Sequence, residues 1–439
     1  MKQKKLRSKK KIRVLALVLL LGMLSGCQLF ASESNETGSL STTSDEATPD
    51  TADEEVVLAP ELEATVLEQG IVSRLAEGEL KYQAWPTVCM DENGVLYTAN
   101  SLRYGHFDPF GKNVLYKSTD NGKTWSEGAV INESPLDDRD TGLLYLGNGK
   151  MLMTYFCHPA SYYLEDEIRW QSRMPEESVR EMLTYLNGLT AEQRKGGSYV
   201  RISNDYGATW GDPIKVPVSS PHGPTVLQNG DLLYVGTRSY WEASDDPNGT
   251  EYSYGFYAFI SKDGGYTWNY HSRIKFFKGY TDTDFYEPYA IQLANGRILV
   301  ALRASGEKFP NHLSVYLTYS DNGGKNWSEA KILCEDFTGA PAHLIQLDNG
   351  AVVITYGRRV NEAGNPCGIR ARYSRDNGAT WSEEIVLSNP LNPEDTDLGY
   401  PATVILKDGS LFTVYYQHYN EDTYPSVLYT KWTLTPTES

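Results

Sequence analysis

The chain has 439 residues, 12% of them aromatic with 31 Tyr and 9 Trp, a supply of core-forming side chains that excludes a disordered protein. Its formal charge is −17, and removing the eight Lys and Arg of residues 1–26 takes the remainder from −17 to −25. So acidic a balance excludes general binding to nucleic acid phosphates; any anion must be met by a local cluster of positive groups.

The N-terminus opens with a basic run, MKQKKLRSKKKIR, then 11 apolar residues, VLALVLLLGML, then LSGC ending in Cys27. The apolar run is short for a membrane span, and the small residues after it mark residues 1–26 as a secretory signal. LSGC also resembles the bacterial lipobox. That resemblance implies cleavage before Cys27, lipidation of its thiol and anchoring on the extracellular face of a bacterial membrane; an ordinary signal peptide with an incidental Cys is the alternative. Residues 27–60 are acidic, rich in Ser and Thr and poor in apolar side chains, so they read as a flexible tether. Cys89, Cys157, Cys334 and Cys367 follow at spacings that match no metal motif, which leaves disulfides or buried free thiols open. Nothing in the sequence asks for a metal or an organic cofactor.

One octapeptide recurs from there on: STDNGKTW (118–125), SNDYGATW (203–210), SKDGGYTW (261–268), SDNGGKNW (320–327) and SRDNGATW (374–381). Asp at its third position can bond backbone amides across a tight turn, Gly at the fifth supplies a positive φ, and Trp at the eighth covers the turn. These are folding roles. A second repeat joins two apolar, β-rich runs by Asn-Gly or Asp-Gly, as in VCMDENGVLYTANSLR (88–103) and AIQLANGRILVALR (290–303). It occurs six times, at 88–103, 143–156, 225–238, 290–303, 344–358 and 403–417. Six hairpins plus further strands predict an all-β fold, a six-bladed β-propeller over residues 61–439. Residues 426–435, or a strand within 62–73, close the ring. Residues 161–195 break the pattern. Their PEESVREMLTYL predicts an amphipathic helix opened by Pro, a short helical insertion in the second blade that serves as a rim or as decoration.

If the octapeptides close outer hairpins, function belongs where the inner strands begin. Just ahead of those strands stand Trp85, Arg139, Asp140, His222, Glu287 and Tyr400, and in five of the six blades a Pro lies close by. The second strands of four hairpins end in Arg103, Arg238, Arg303 and Arg358, each returning to the same face. Four guanidiniums on one rim suit an anionic ligand, since Arg grips a carboxylate bidentately. Pairing with nearby acids such as Asp108, Asp137, Asp138, Asp140 and Glu287 is the alternative.

The octapeptide S-x-D-x-G-x-T-W is the Asp-box, and the chain from about residue 80 to 435 resembles the sialidase-like superfamily. YEPYAIQLANGRILVALR is similar to the segment that supplies a helper glutamate and a carboxylate-binding arginine, which implies those roles for Glu287 and Arg303. GYPATVILKDGSL resembles the segment of the nucleophilic tyrosine, which implies that role for Tyr400, with Arg358 or Arg359 a family-like distance before it. The resemblance also implies Asp108 as the acid/base. The family opens its first blade with Arg-Ile-Pro, where this chain has Ala84-Trp85-Pro86; Arg103 or Arg139 is then the substitute, with Trp85 stacking on a sugar face.

The expectation is a membrane-anchored, monomeric, exo-acting glycoside hydrolase that cleaves a terminal, anionic sugar from a glycan with retention, using a neutral tyrosine so that no carboxylate nucleophile meets the substrate's own charge. A non-catalytic glycan-binding propeller is one alternative. A polysaccharide lyase acting on uronic acids, with His222 or a tyrosine as base, is the other.

Overall fold

The computed structural model describes residues 58–75, 80–238, 255–275, 279–281, 284–306, 309, 313–333, 340–359 and 366–437. The signal segment, Cys27, most of the tether and Cys334 lie outside the described residues. The rest forms six four-stranded antiparallel sheets, each contributing one blade of a propeller. The inner strands, in chain order, are Tyr82–Met90, Arg139–Gly147, Thr225–Val226, Phe285–Gln292, Ala340–Gln346 and Gly399–Ile405. Both candidates for ring closure take part. The strand Leu62–Ser73 pairs with Pro425–Pro436, from Leu62 opposite Pro436 to Ser73 opposite Val427, as the outermost strand of the sixth blade.

Each octapeptide joins the third and fourth strands of its blade. In the first, Asp120 Oδ1 accepts from Ser118 Oγ at 2.8 Å and from the Thr124 amide at 2.9 Å, while Oδ2 accepts from the Thr124 hydroxyl at 2.6 Å. Gly122 sits at φ 87°, and the Trp125 indole donates to its carbonyl at 3.0 Å. In the degraded copy Asn322 keeps two of these bonds, from Ser320 Oγ and the Asn326 amide, both at 2.9 Å. Its Trp327 turns instead to Ser272 Oγ at 2.9 Å.

The core lies between blades. Val88, Leu96 and Val114 of the first blade pack with Ala402, Phe412 and Val414 of the sixth. The insertion forms α1 (Ser161–Leu164), α2 (Glu167–Gln171) and α3 (Glu176–Gly188), with Pro175 just before α3. Val179, Met182 and Leu186 share one face of α3, as a spacing of three and four residues requires, and join the core of the first two blades. Cys89, Cys157 and Cys367 are free, buried thiols.

Candidate active site

Of the residues expected just ahead of the inner strands, His222 stands there, before Thr225–Val226, while Trp85, Arg139, Asp140, Glu287 and Tyr400 lie within theirs. In four blades the pairing passes over two inner-strand residues at a bulge, between Ala84 and Thr87, Arg139 and Gly142, Tyr286 and Tyr289, and Gly399 and Ala402. Inside those bulges Trp85, Asp140, Glu287 and Tyr400 have φ of 56°, 50°, 45° and 50°. An inner strand is the edge of its sheet, so it tolerates both a bulge and the Pro that follows Trp85, Glu287 and Tyr400. The bulge re-aims each of these side chains relative to the strand's ordinary alternation.

Two of them meet. The Tyr400 hydroxyl donates to Glu287 Oε1, and Arg303 Nη1 donates to Glu287 Oε2 at 2.6 Å. Burial raises the Glu287 carboxyl, but the Arg303 charge and hydrogen bond outweigh it and hold the group below its ordinary value. Burial, reinforced by the neighbouring Glu287 charge, pushes the Tyr400 phenol well above the ordinary tyrosine value. At rest the pair is therefore a neutral phenol donating to a carboxylate. Arg359 completes this side: its guanidinium lies 5.6 Å from the Tyr400 ring centre and donates to Leu398 O at 2.7 Å and to the Tyr416 hydroxyl at 2.8 Å. The buried Nε of Arg303 has no hydrogen-bond partner among the described residues.

Trp85 adjoins Tyr400, with ring centres 6.1 Å apart, and carries two guanidiniums, Arg139 at 4.1 Å and Arg103 at 4.8 Å. Both arginines converge on Asp137. Arg103 Nη2 donates to it at 2.8 Å with Nη1 in ion-pair contact at 2.6 Å, Arg139 Nη1 donates at 3.0 Å, and the Tyr163 hydroxyl of α1 donates at 2.8 Å. Burial alone would raise the Asp137 carboxyl; the two arginines hold it below its ordinary value. Asp140 contrasts with it. Its carboxyl makes no hydrogen bond within the protein among the described residues, and burial, with the Glu287 charge adding, pushes it up to about 7. On the outer side of Trp85 the Tyr82 hydroxyl donates to Asp397 at 2.7 Å and meets His106 Nδ1 at 2.7 Å. A hydroxyl has one hydrogen, so Nδ1 carries the proton and donates to Tyr82, leaving Nε2 as an acceptor.

The structure thus brings together Tyr400, Glu287, Arg303, Trp85, Arg139 and Asp140. Other expected site residues lie elsewhere. Asp108 spends both carboxylate oxygens on its own loop, accepting from the Tyr104 amide at 2.5 Å and the Phe110 amide at 2.7 Å, although burial keeps its carboxyl raised. Arg103 is wholly buried on Asp137, so it supports Trp85 and offers no free fork. Arg358 turns to Glu384 at 3.5 Å, on the strand face it shares with Tyr356, and Arg359 takes the position beside Tyr400. Neighbours in a strand face opposite ways, and that alternation, counted from the apolar Val352 and Ile354, is the signal that separates the two arginines. His222 packs edge-on against Tyr289 and His343 and reaches Thr87 Oγ1 at 3.3 Å, residues further along the inner strands; burial lowers it to about 3. The side chain of Arg238 lies outside the described residues. Asp137 was among the acids expected to pair with the arginines and does so; Tyr416, His106 and Asp397 carry no sequence signal, because their partners are distant in the chain.

The six-bladed propeller with Asp-box turns is a fold this chain shares with sialidases of solved structure. The chain belongs to the BNR repeat-like domain family, whose model matches residues 171–414, and the BNR/Asp-box repeat model matches residues 116–127, the first octapeptide. Among solved structures it is similar to a protein of unknown function from Dyadobacter fermentans, at 23% identity and TM-score 0.64, covering 85% of this chain and 99% of that one. It is also similar to the intramolecular trans-sialidase of Ruminococcus gnavus in complex with oseltamivir carboxylate, at 15% identity and TM-score 0.55, covering 84% and 99%. A third similar structure is an α-L-arabinofuranosidase of Fusarium graminearum in complex with an iminosugar inhibitor, at 13% identity and TM-score 0.54, covering 82% and 97%. A comparison with curated proteins gives no match.

Proposed function

We propose that the protein is an exo-acting, retaining glycoside hydrolase for a terminal sugar bearing an anionic group, with Tyr400 as nucleophile. The observation that carries this reading is the hydrogen bond from the Tyr400 hydroxyl to a Glu287 carboxylate fixed by Arg303. A buried tyrosine needs a base only at the moment of attack, and Glu287 is already in contact with its proton. Tyr400 Oη attacks the anomeric carbon as its proton passes to Glu287, and the bond to the leaving oxygen breaks. Asp140, a carboxyl raised to about 7, gives that oxygen its proton. Water then cleaves the glycosyl–tyrosine bond, losing a proton to Asp140, while Glu287 returns its own to Tyr400. The guanidiniums of Arg303, Arg139 and Arg359 serve the anionic group, and Trp85, buried beneath the Arg103 and Arg139 guanidiniums, holds Arg139 in place.

The test is turnover by the protein and by Tyr400→Phe on sialosides, uronides and neutral aryl glycosides. The variant keeps the ring and removes the nucleophile, so a loss of at least about a thousandfold is expected. Undiminished turnover in Tyr400→Phe would overturn the mechanism. Tight glycan binding without turnover in the parent would favour a non-catalytic binder.

A further inference from the structure

A cleft of about 970 Å³ opens beside the axial site, between the 104–110 loop of the first blade, residues 173–182 of the insertion and Tyr424 in the last turn before the C-terminal strand. Its volume stands at the top of the range of roughly 300–1,000 Å³ usual for ligand sites. Three aromatic side chains on its walls are exposed, Tyr104 by 45%, Phe110 by 37% and Tyr424 by 38%. Phe110 is held in place by Tyr185 of α3, with ring centres 4.7 Å apart, and by Tyr104 at 5.9 Å. The insertion therefore both walls the cleft and fixes one of its aromatic faces. At the inner end stands His106, which meets Trp85 edge-on at 5.4 Å, and Trp85 in turn adjoins Tyr400. His106 and the buried Trp85 thus connect the cleft wall to the candidate active site.

We infer that this cleft binds the sugars on the leaving-group side of the scissile bond, so that the protein acts on the ends of oligosaccharide chains in preference to isolated glycosides. The inference rests on the glycosidase reading above. Sugar rings offer apolar C–H faces and hydroxyl edges. The rings of Tyr104, Phe110 and Tyr424 match the faces. His106 Nε2, left as an acceptor by its bond to Tyr82, and the charged ends of Arg173 and Glu181 match the hydroxyls. With Arg173 set against the Glu181 and Asp108 carboxyls in its lining, the cleft offers no positive cluster for a phosphate-bearing chain.

Two measurements test it. The first compares kcat/KM for a trisaccharide with that for the aryl glycoside of the same terminal sugar, in the protein and in Tyr424→Ala and Phe110→Ala. The oligosaccharide is expected to be preferred, and each variant to cut that preference about tenfold. A preference unchanged in both variants, or an equal loss on both substrates, would overturn the inference. Tyr424 lies in an exposed turn, so its variant remains informative if Phe110→Ala fails to fold. The second uses calorimetry on Tyr400→Phe with sialyl-, glucuronyl- and arabinosyl-terminated chains of one to four sugars. Affinity that grows with chain length supports the cleft; affinity complete at one sugar, or no binding to any chain, overturns it. Length-dependent binding by a protein that turns nothing over would sink the glycosidase reading and leave the cleft standing.

Discussion

Trp85, Asp140, Glu287 and Tyr400 share a backbone conformation that L-residues avoid, each with positive φ inside a bulge of an inner strand. Strain of this kind costs about 1–3 kcal/mol per residue and persists where the surrounding structure enforces it. Here the enforcement is the blade on either side, and the return is four side chains aimed at one axis. Among them Asp140 carries the most testable chemistry. A general acid works only while protonated, so with a carboxyl at about 7 the rate should fall as pH rises through about 7. The same sign holds for stability: a carboxyl raised from an unfolded value near 4 contributes fully below about pH 4 and loses that contribution as pH rises through about 7. Asp140→Asn is expected to abolish the alkaline limb of the kcat/KM profile. It should also lower turnover by about 10²–10⁴ on substrates with poor leaving groups. An alkaline limb that persists in the variant would move the acid role to another group, with Asp108 first in line. At this scale the sequence revealed Trp85, Glu287 and Tyr400 because a Pro follows each, and Asp140 because it begins a hairpin. It offered Asp137 and Glu287 as partners for the arginines, and Arg103 and Arg303 take them, but it did not offer Glu384, which Arg358 meets from 26 residues away.

The octapeptide turn is the element whose physics is most fully written in its letters. Asp, Gly and Thr make the bonds their chemistry suggests, and the copy with Asn322 retains what an amide oxygen can accept. Gly122 is constrained twice, by its φ of 87° and by a site where an added Cβ would come within 2.3 Å of the Phe412 ring in the sixth blade. Gly122→Ala is therefore expected to destabilise the protein by about 1–3 kcal/mol, read as a lower denaturation midpoint with an unchanged slope. A midpoint equal to the parent's would show that this turn is not held as described. The helix opened by Pro175 was legible too, because its apolar residues recur at helical spacing. The inner strands were misjudged by a few residues at their start. Pro reads as a strand breaker, and only an edge strand with a bulge accommodates it.

Over the whole molecule, six hairpins and five Asp-boxes made the propeller legible before any coordinate, since a repeated unit that cannot bury its own faces must stack on copies of itself. Closure was legible as a choice between two strands, and the ring uses both, so that residues more than 350 positions apart in the chain share one sheet. The four-arginine rim was less sound. Arg303 reaches the axial site, while Arg103 and Arg358 serve other carboxylates and Arg359 enters in their place. The positive cluster an acidic protein needs for an anionic sugar is thus assembled from arginines of the second, fourth and fifth blades, around one tyrosine of the sixth. That tyrosine is the centre of the account, and a trapped intermediate tests it most directly. The protein is incubated with a fluorinated glycosyl fluoride of whichever terminal sugar it releases, and the adduct is mapped by peptide mass spectrometry. The account predicts a single glycosyl group on Tyr400, absent from Tyr400→Phe; an adduct on Glu287 or Asp140, or none in a protein that turns over the parent substrate, would contradict it.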